Sequence, residues 1–381
     1  MTRPSAPPAR RNGTGILFAL IFAILSVCAV YALRIASVQS GIADKMERIT
    51  TTHRFLEHPL SLRTTYTGIA PVDQGLTFLV TAFMNAASGW DAGFFVFLGY
   101  FLVSFFAILT VWAVESCRER NGRALTRFTY IYALLYQTVG GAVIVPIYYL
   151  VYLYDTSSNS YWSKPRNIPL PYAKALLPAL IIGYLIPTGL IFLPYSAPDM
   201  WTTQAAVAFW QPSPWYVDIL IWVFAKLYSG RSSTKSSPSN RNSDILHLNR
   251  IYLTSFLVTG MLHLFIIYLI LFSPNSEHSF SHMFLDPFSY SSTQMSMVQG
   301  MHGIFLADFW IIFASSLLWA YLALWDLKRV KLADVNLWSV GILLAIGTVA
   351  VGPGAVVTGV WYWREKQLTG QEKEKEKEKA R

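Results

Sequence analysis

Apolar stretches of about 20 residues recur along this chain and constrain its fold more than any other sequence feature. A helix needs about 20 apolar residues to cross roughly 30 Å of hydrocarbon. A backbone surrounded by lipid must also satisfy its own hydrogen bonds, which a helix does within one segment. Charged residues make up only 13% of the chain, about half the share of an ordinary soluble domain. The sequence therefore predicts an all-α, polytopic membrane bundle with about 8–10 transmembrane segments.

The predicted crossing segments share a long apolar run with polar flanks. They are residues 15–37, 71–88, 92–116, 128–153, 172–194, 214–228, 251–272, 301–325 and 337–362. We expect three regions: a disordered basic N-terminus at residues 1–14, the helical bundle at residues 15–363, and a solvated Glu/Lys tail at residues 364–381.

Clusters of Lys and Arg predict which loops face the cytosol, because cytosolic loops carry an excess of both residues. Such clusters occur at residues 118–127, 231–250 and 328–331, whereas residues 273–300 contain neither residue. The number of crossings between the first two basic loops must be even, yet only three clear spans lie there. Either residues 199–213 cross as a short or broken helix, or one span is re-entrant.

The C-terminus ends in Lys377-Glu-Lys379-Ala-Arg381, similar to the di-lysine retrieval signal of endoplasmic-reticulum membrane proteins. The same residues equally fit one more Glu-Lys repeat. The signal needs a cytosolic tail, whereas a single crossing after the third basic loop would place the tail in the lumen. The Gly352-Pro353-Gly354 break in the last span offers the chain a way to return. We expect an integral membrane protein of the endoplasmic reticulum.

Several classes of site are disfavoured. The net charge of +9 is concentrated in loops and termini, where it suits anionic lipid headgroups, and no basic stripe supports nucleic-acid binding. Cys28 and Cys117 make neither a disulfide framework nor a metal-ligand pair. His278 and His282 have an i,i+4 spacing but lie in a loop, so we expect no metal site.

Asp308 is the most informative ionisable residue, because charged groups at membrane depth are costly and commonly functional. It lies about seven residues, or about 10 Å, inside its predicted span, with no basic residue within one turn. A carboxylic acid in such surroundings suits a buried general acid. Ser315 and Trp319 share its helical face. The alternative role is a structural hydrogen bond to another helix.

Two other carboxyls stay open as candidates. Glu115 lies at the C-terminal end of its helix, where the dipole disfavours it, and it forms either an ion pair with Arg118 or part of a site. Asp218 lies one turn deeper in its span than a helix-capping residue would.

One face of the predicted span 128–153 carries Gln137 and Tyr148. Next to Gln137, Gly140 and Gly141 allow close helix packing. The pattern fits two alternatives: a surface that binds substrate, or an interhelical hydrogen bond from Gln137.

Short stretches between residues 71 and 325 form an ordered set in which no single motif is diagnostic. They are Pro71-Val-Asp73-Gln-Gly-Leu76, Val114-Glu115-Ser116 with Arg118, Arg120 and Asn121, Gln137, Pro146-Ile-Tyr148, Ala175-Leu-Leu-Pro178, Tyr184-Leu-Ile-Pro187-Thr188 and Asp308-Phe-Trp310. Together they resemble the fungal membrane-bound terpene cyclases of the ascochlorin and macrophorin type, whose relatives occur in paxilline-like indole-diterpene clusters.

The resemblance implies proton-initiated cyclisation of a prenyl or epoxyprenyl chain on an aromatic or indole core, without a metal or redox cofactor. The expected partners are a hydrophobic prenylated substrate, the lipid bilayer and other membrane-bound pathway enzymes. The catalytic candidates are then Asp308, Glu115 and Asp218, and the substrate-binding candidates are Gln137, Tyr148, Ser315 and Trp319. A small-molecule transporter, which should show paired broken helices in a repeat, and a non-catalytic pathway scaffold are the alternatives.

Overall fold

The computed structural model describes residues 11–195, 200–230, 242–286 and 295–380, and helices dominate these residues. The α-helices are α1 (Asn12–Val30), α2 (Ala36–Gln39), α3 (Ile42–Thr52), α4 (Ala70–Ala87), α5 (Ala92–Ser116), α6 (Thr129–Val139), α7 (Gly141–Asp155), α8 (Asn159–Ser163), α9 (Leu170–Leu180), α10 (Ile186–Ile191), α11 (Trp201–Trp210), α12 (Ser213–Gly230), α13 (Ile245–Phe272), α14 (Phe280–Phe284), α15 (Met297–Arg329), α16 (Leu337–Val351) and α17 (Pro353–Ala380). The predicted all-α class is confirmed.

Five helical segments within the described ranges are long and apolar enough to cross a bilayer. They are Gly13–Gln39, Ala92–Ser116, Leu170–Ile191, Ile245–Phe272 and Met297–Arg329. Two apolar helices, α7 and α16, are shorter. The total of about 8–10 crossings stays a prediction for the remaining segments.

Two of the long segments contain a π-helical turn. Tyr31–Ile35 joins α1 to α2, and Ile181–Leu185 joins α9 to α10. Single π-turns inside α-helices frequently mark functional sites.

Helices α6 and α7 form a hairpin that turns back inside the bundle. The amide and hydroxyl of Thr126, just before α6, both donate to Asp155 Oδ2 at 2.9 Å, at the end of α7. Between the helices, Gly140 has a φ of 118°, and a Cβ there would lie 2.6 Å from Leu33 Cδ2. The single helix predicted at residues 128–153 is therefore a hairpin of two helices, which is the form expected of a re-entrant segment. This accounts for the even number of crossings that the loop charges require, while residues 201–210 form the separate short helix α11.

Helices α16 and α17 form a second returning pair, with its turn at Gly352 (φ 87°). At the start of α17, a Cβ on Gly354 would lie 2.9 Å from Ser104 O, in the middle of α5. Further along, Glu365 pairs with Arg118 at 2.5 Å, just beyond the end of α5. Helix α17 thus runs alongside α5 to the end of the bundle that holds loop 118–127, and the predicted crossing at residues 337–362 is a hairpin too.

Buried charges tie the loops and both ends of the chain together at that end of the bundle. We call these residues the ionic layer: Arg11, Glu115, Arg118, Arg120, Arg166, Asp244, Asp326, Arg329, Arg364 and Glu365. The guanidiniums of Arg120 and Arg329 lie 5.8 and 5.9 Å from the ring of Trp162, so the end of α15 also lies here.

The ionic layer includes two residues from the region that the sequence predicts to be the tail. Arg364 and Glu365, which the sequence assigned to the solvated tail, are 0% and 1% exposed. Helix α1 begins at Asn12, while residues 1–10 of the predicted disordered N-terminus lie outside the described residues.

Candidate active site

Asp308 faces a partly open cavity of about 410 Å³ that is bordered by α3, α4, α15, the α6–α7 turn and the π-turn after α1. We call it the Asp308 chamber. Most of its walls are apolar or aromatic, and these lining residues include Leu33, Ile42, Met46, Phe78, Phe83, Tyr136, Met301, Ile304 and Phe305.

The carboxylate of Asp308 lies at the N-terminus of α7. Its Oδ1 accepts a hydrogen bond of 2.5 Å from the Ala142 N–H. A Cβ on Gly141 would lie 3.3 Å from Oδ2 and 2.6 Å from Ile312 Cδ1, so glycine permits this close approach of α7 to α15. The first N–H groups of a helix lack partners and carry a partial positive charge. The structural hydrogen bond considered for Asp308 is therefore present, and the same carboxyl also lines the chamber.

Arg34 lies on the other side of the α6–α7 turn from Asp308. Its Nη2 donates to the carbonyls of Thr138 at 3.0 Å and Val139 at 2.8 Å, at the end of α6, and its side chain lines the chamber. A cation at a helix C-terminus and an anion at an N-terminus each match the helix dipole. The sequence analysis missed Arg34, although it is the sole basic residue in the predicted span 15–37.

Gln137 lies between the Asp308 chamber and a second cavity of about 400 Å³, since both are lined by Leu79, Gln137 and Thr138. Its side-chain amide donates to the Gln211 carbonyl. The second cavity is bounded by α4, α6, α11 and α12, and its further lining residues include Arg63, Tyr66, Leu76, Leu134, Phe209 and Trp215. Gln137 thus makes a hydrogen bond to the segment between α11 and α12 and lines both cavities, while its role in substrate binding stays a prediction.

Three predicted binding residues lie outside the chamber lining, in the packed core, each 0% exposed. The Tyr148 ring stacks on the Trp112 ring with 3.8 Å between the ring centroids. The ring centroids of Trp319 and Trp361 lie 4.0 Å apart. The Ser315 hydroxyl donates to the Ile312 carbonyl at 2.8 Å. The structure therefore does not bring these three side chains together with Asp308.

The other two predicted catalytic carboxyls are also separate from the chamber. Glu115 lies in the ionic layer, where it pairs with Arg118 at 2.9 Å and Arg364 at 3.0 Å. Asp218 accepts a hydrogen bond of 2.9 Å from the Thr129 hydroxyl. The second carboxyl among the residues that line the chamber is Glu47 of α3. The sequence analysis missed it because residue 47 lies between the first two predicted crossing segments, 15–37 and 71–88.

Comparisons with known proteins place this architecture in a family. The CtvD domain matches residues 18–369. The chain belongs to the CtvD domain family. This confirms the resemblance found in the sequence, and no solved structure matches.

Curated relatives of this CtvD-domain protein are fungal. It is 25% identical over 264 residues to terpene cyclase ascI of Acremonium egyptiacum, covering 67% of this chain and 66% of that protein. It is 23% identical over 369 residues to terpene cyclase DEP1 of Alternaria brassicicola, and the match covers 91% of this chain and 98% of that protein. It is also 26% identical over 268 residues to FAD-dependent monooxygenase verC1 of Penicillium polonicum, covering 68% of this chain but 31% of that protein. The chain therefore spans less than two thirds of verC1 and of ascI.

Proposed function

We propose that this protein is a membrane-bound terpene cyclase that closes rings on a prenyl or epoxyprenyl chain after proton transfer from Asp308. The observation that supports this most directly is one carboxyl, held at a helix N-terminus, that faces an apolar and aromatic chamber. The names of the relatives support a cyclase over the transporter and scaffold alternatives.

Proton transfer to an alkene or epoxide is difficult because both groups are weak bases. The acid can serve only if the negative charge that it acquires is stabilised as the proton leaves. The Ala142 N–H and the first turn of α7 are already aimed at the carboxyl of Asp308, so this stabilisation needs no rearrangement during the reaction. Positioned proton transfer of this kind contributes roughly 10²–10⁴ in rate.

The chamber walls suit the cation that follows protonation. Phe78, Phe83, Tyr136 and Phe305 present aromatic rings to the cavity, and aromatic faces attract cations. Apolar walls also hold little water, which would otherwise capture a carbocation.

The substrate that fits this arrangement is an elongated prenylated arene or indole. Its chain occupies the Asp308 chamber, and its remaining part extends past Gln137 into the second cavity, since Gln137 lines both cavities. We assign Tyr148, Ser315 and Trp319 to packing around α15, since they are fully buried.

The cellular setting that we propose is the membrane of the endoplasmic reticulum, beside other membrane-bound enzymes of the same pathway. The return of α17 toward the end of the bundle with loop 118–127 supports a cytosolic tail. A cytosolic tail is the condition under which Lys377 and Lys379 can act as a retrieval signal.

The proposed function is tested with microsomes that contain the full chain, supplied with a synthetic epoxyprenyl arene and with its prenyl counterpart. We expect a cyclic product of unchanged mass that is absent from microsomes without the protein. Absence of any isomer from both compounds, with the protein folded in the membrane, would contradict the cyclase. Uptake of unchanged compound into sealed vesicles would instead support a transporter.

A further inference from the structure

We propose that Glu47 is the base that ends the reaction by removing a proton from the last carbocation. This inference rests on the proposed cyclase function and goes beyond it, because the terminal base decides which alkene is formed.

An isomerisation requires a proton acceptor as well as a donor. The O–H bond of Asp308 breaks and its proton adds to the epoxide oxygen or terminal alkene. In the epoxide, one C–O bond then breaks and its electron pair stays on the oxygen as a hydroxyl group, whereas in the alkene the π electrons form the new C–H bond; either way a carbon atom is left electron-deficient. The electron pairs of the chain double bonds then form the new C–C bonds, which leaves a cation on the last ring carbon. A neighbouring C–H bond breaks, its electron pair becomes the new double bond, and its proton goes to a carboxylate. No atoms or electrons are gained or lost.

The acceptor has to lie in the chamber, at a distance from the donor, because ring closure moves the cation along the chain away from Asp308. Glu115 and Asp218 do not qualify, since one is in the ionic layer and the other is bonded to Thr129. Within the described part of the chain, Glu47 supplies the second carboxyl of the chamber lining. It belongs to α3, whereas Asp308 belongs to α15.

The packing of α3 fixes Glu47 at the chamber, and its carboxylate is able to accept a proton. Helix α3 is anchored by Ile42 and Ile49, which are 1% and 0% exposed. The ammonium group of the neighbouring Lys45 forms an ion pair with the Glu57 carboxylate at 3.4 Å. It also donates a hydrogen bond of 2.6 Å to the Met295 carbonyl.

The cation of the chamber lining, Arg34, donates hydrogen bonds to the carbonyls that end α6. No described residue forms an ion pair or hydrogen bond with the Glu47 carboxylate. Its exposed position also lets the accepted proton pass to water. Water carries a proton back to Asp308 when the product leaves, so both groups are restored.

The test is Glu47→Gln in the full chain, assayed in microsomes with the epoxyprenyl arene. We expect the substrate still to be consumed, while the yield of the wild-type alkene falls at least about tenfold. In its place, alkene isomers or an alcohol heavier by one water should appear, because the cation persists until another acceptor or water reaches it. Glu47→Asp, which keeps a carboxylate, should restore part of the wild-type alkene.

Asp44→Asn is the matched control, since Asp44 is an exposed carboxyl of the same helix that does not line the chamber. It should give the wild-type product at the wild-type rate. If the wild-type protein cyclises the substrate and Glu47→Gln yields the same product profile, Glu47 is not the base, even if all products fall in proportion. If the wild-type protein makes no isomer, the proposed cyclase function itself fails.

Discussion

The buried carboxyls of this protein have two contrasting surroundings. Glu115 is 1% exposed and contacts the guanidiniums of Arg118 and Arg364, whereas the Asp308 carboxylate meets a backbone N–H and an open cavity. A carboxylate fixed between two guanidiniums is a poor proton donor, because protonation would break both ion pairs. We therefore expect the ionic layer to stabilise the fold, and we propose that the chemistry takes place in the chamber.

This division predicts the effect of Glu115→Gln. The change leaves Arg118 and Arg364 buried without their full counter-charge, and removal of one member of a buried ion pair costs about 3–5 kcal/mol. We expect a clearly lower Tm in detergent, measured by thermal unfolding. Glu119→Gln, at an exposed neighbouring position, should leave the Tm unchanged. A normal Tm together with lost cyclisation would instead make Glu115 a catalytic residue.

Sequence reasoning located some chamber residues and missed others for a physical reason. Asp308 and Gln137 stand out because each is a polar group deep in an apolar run. Helical periodicity gives the face of a residue, but not the depth at which neighbouring helices close over that face. Ser315 and Trp319 share the face of Asp308, yet they lie where the core is fully packed. Arg34 and Glu47 reach the chamber from elements that no local pattern connects to α15.

At the scale of elements, the main feature is the pair of returning hairpins. Each turns at a glycine with positive φ, Gly140 and Gly352. Irregular backbone at membrane depth is tolerated only where protein or a cavity shields it. At the second turn, the His263 ring forms a hydrogen bond of 3.0 Å with the Val349 carbonyl, which gives that helix-end carbonyl a partner. Hydropathy could not reveal either hairpin, because each apolar run is long enough for one crossing.

The hairpins predict which loops share one side of the membrane. We propose single cysteines at Arg123, Ser157 and Lys331, all exposed, in a chain that lacks Cys28 and Cys117. All three should react with an impermeant maleimide from the cytosolic side, because α6–α7 begins and ends at one face of the bundle. A cysteine at Ser276, in the loop without Lys or Arg, should react only from the lumenal side. Labelling of position 157 from the lumenal side would show that α6–α7 crosses the membrane.

At the scale of the whole molecule, the ionic layer connects the two ends of the chain around the bundle. Arg11 pairs with Asp326 at 2.5 Å, and Glu365 pairs with Arg166 at 2.6 Å. Such pairs form only when helices distant in sequence have assembled. The Asp308 chamber lies among α3, α4, α7 and α15, apart from this layer.

The sequence sufficed for the helical class, the family and the long apolar helices, because each depends on composition, length or an ordered set of residues. The domain limits and the geometry of the site depended on tertiary contacts. Arg364 looked like the start of a solvated tail, and only its partner Glu115 shows why it is buried.

Turnover of Asp308→Asn tests the central claim most directly. The side chain keeps its volume, and its amide oxygen can still accept the Ala142 N–H, so the fold should persist with expression and Tm like the wild type. With no acidic proton to donate, production of the cyclic isomer in microsomes should fall by about 10²–10⁴-fold, while Asp44→Asn keeps full turnover. Near-wild-type turnover of Asp308→Asn at normal expression would contradict the assignment of Asp308 as the proton donor.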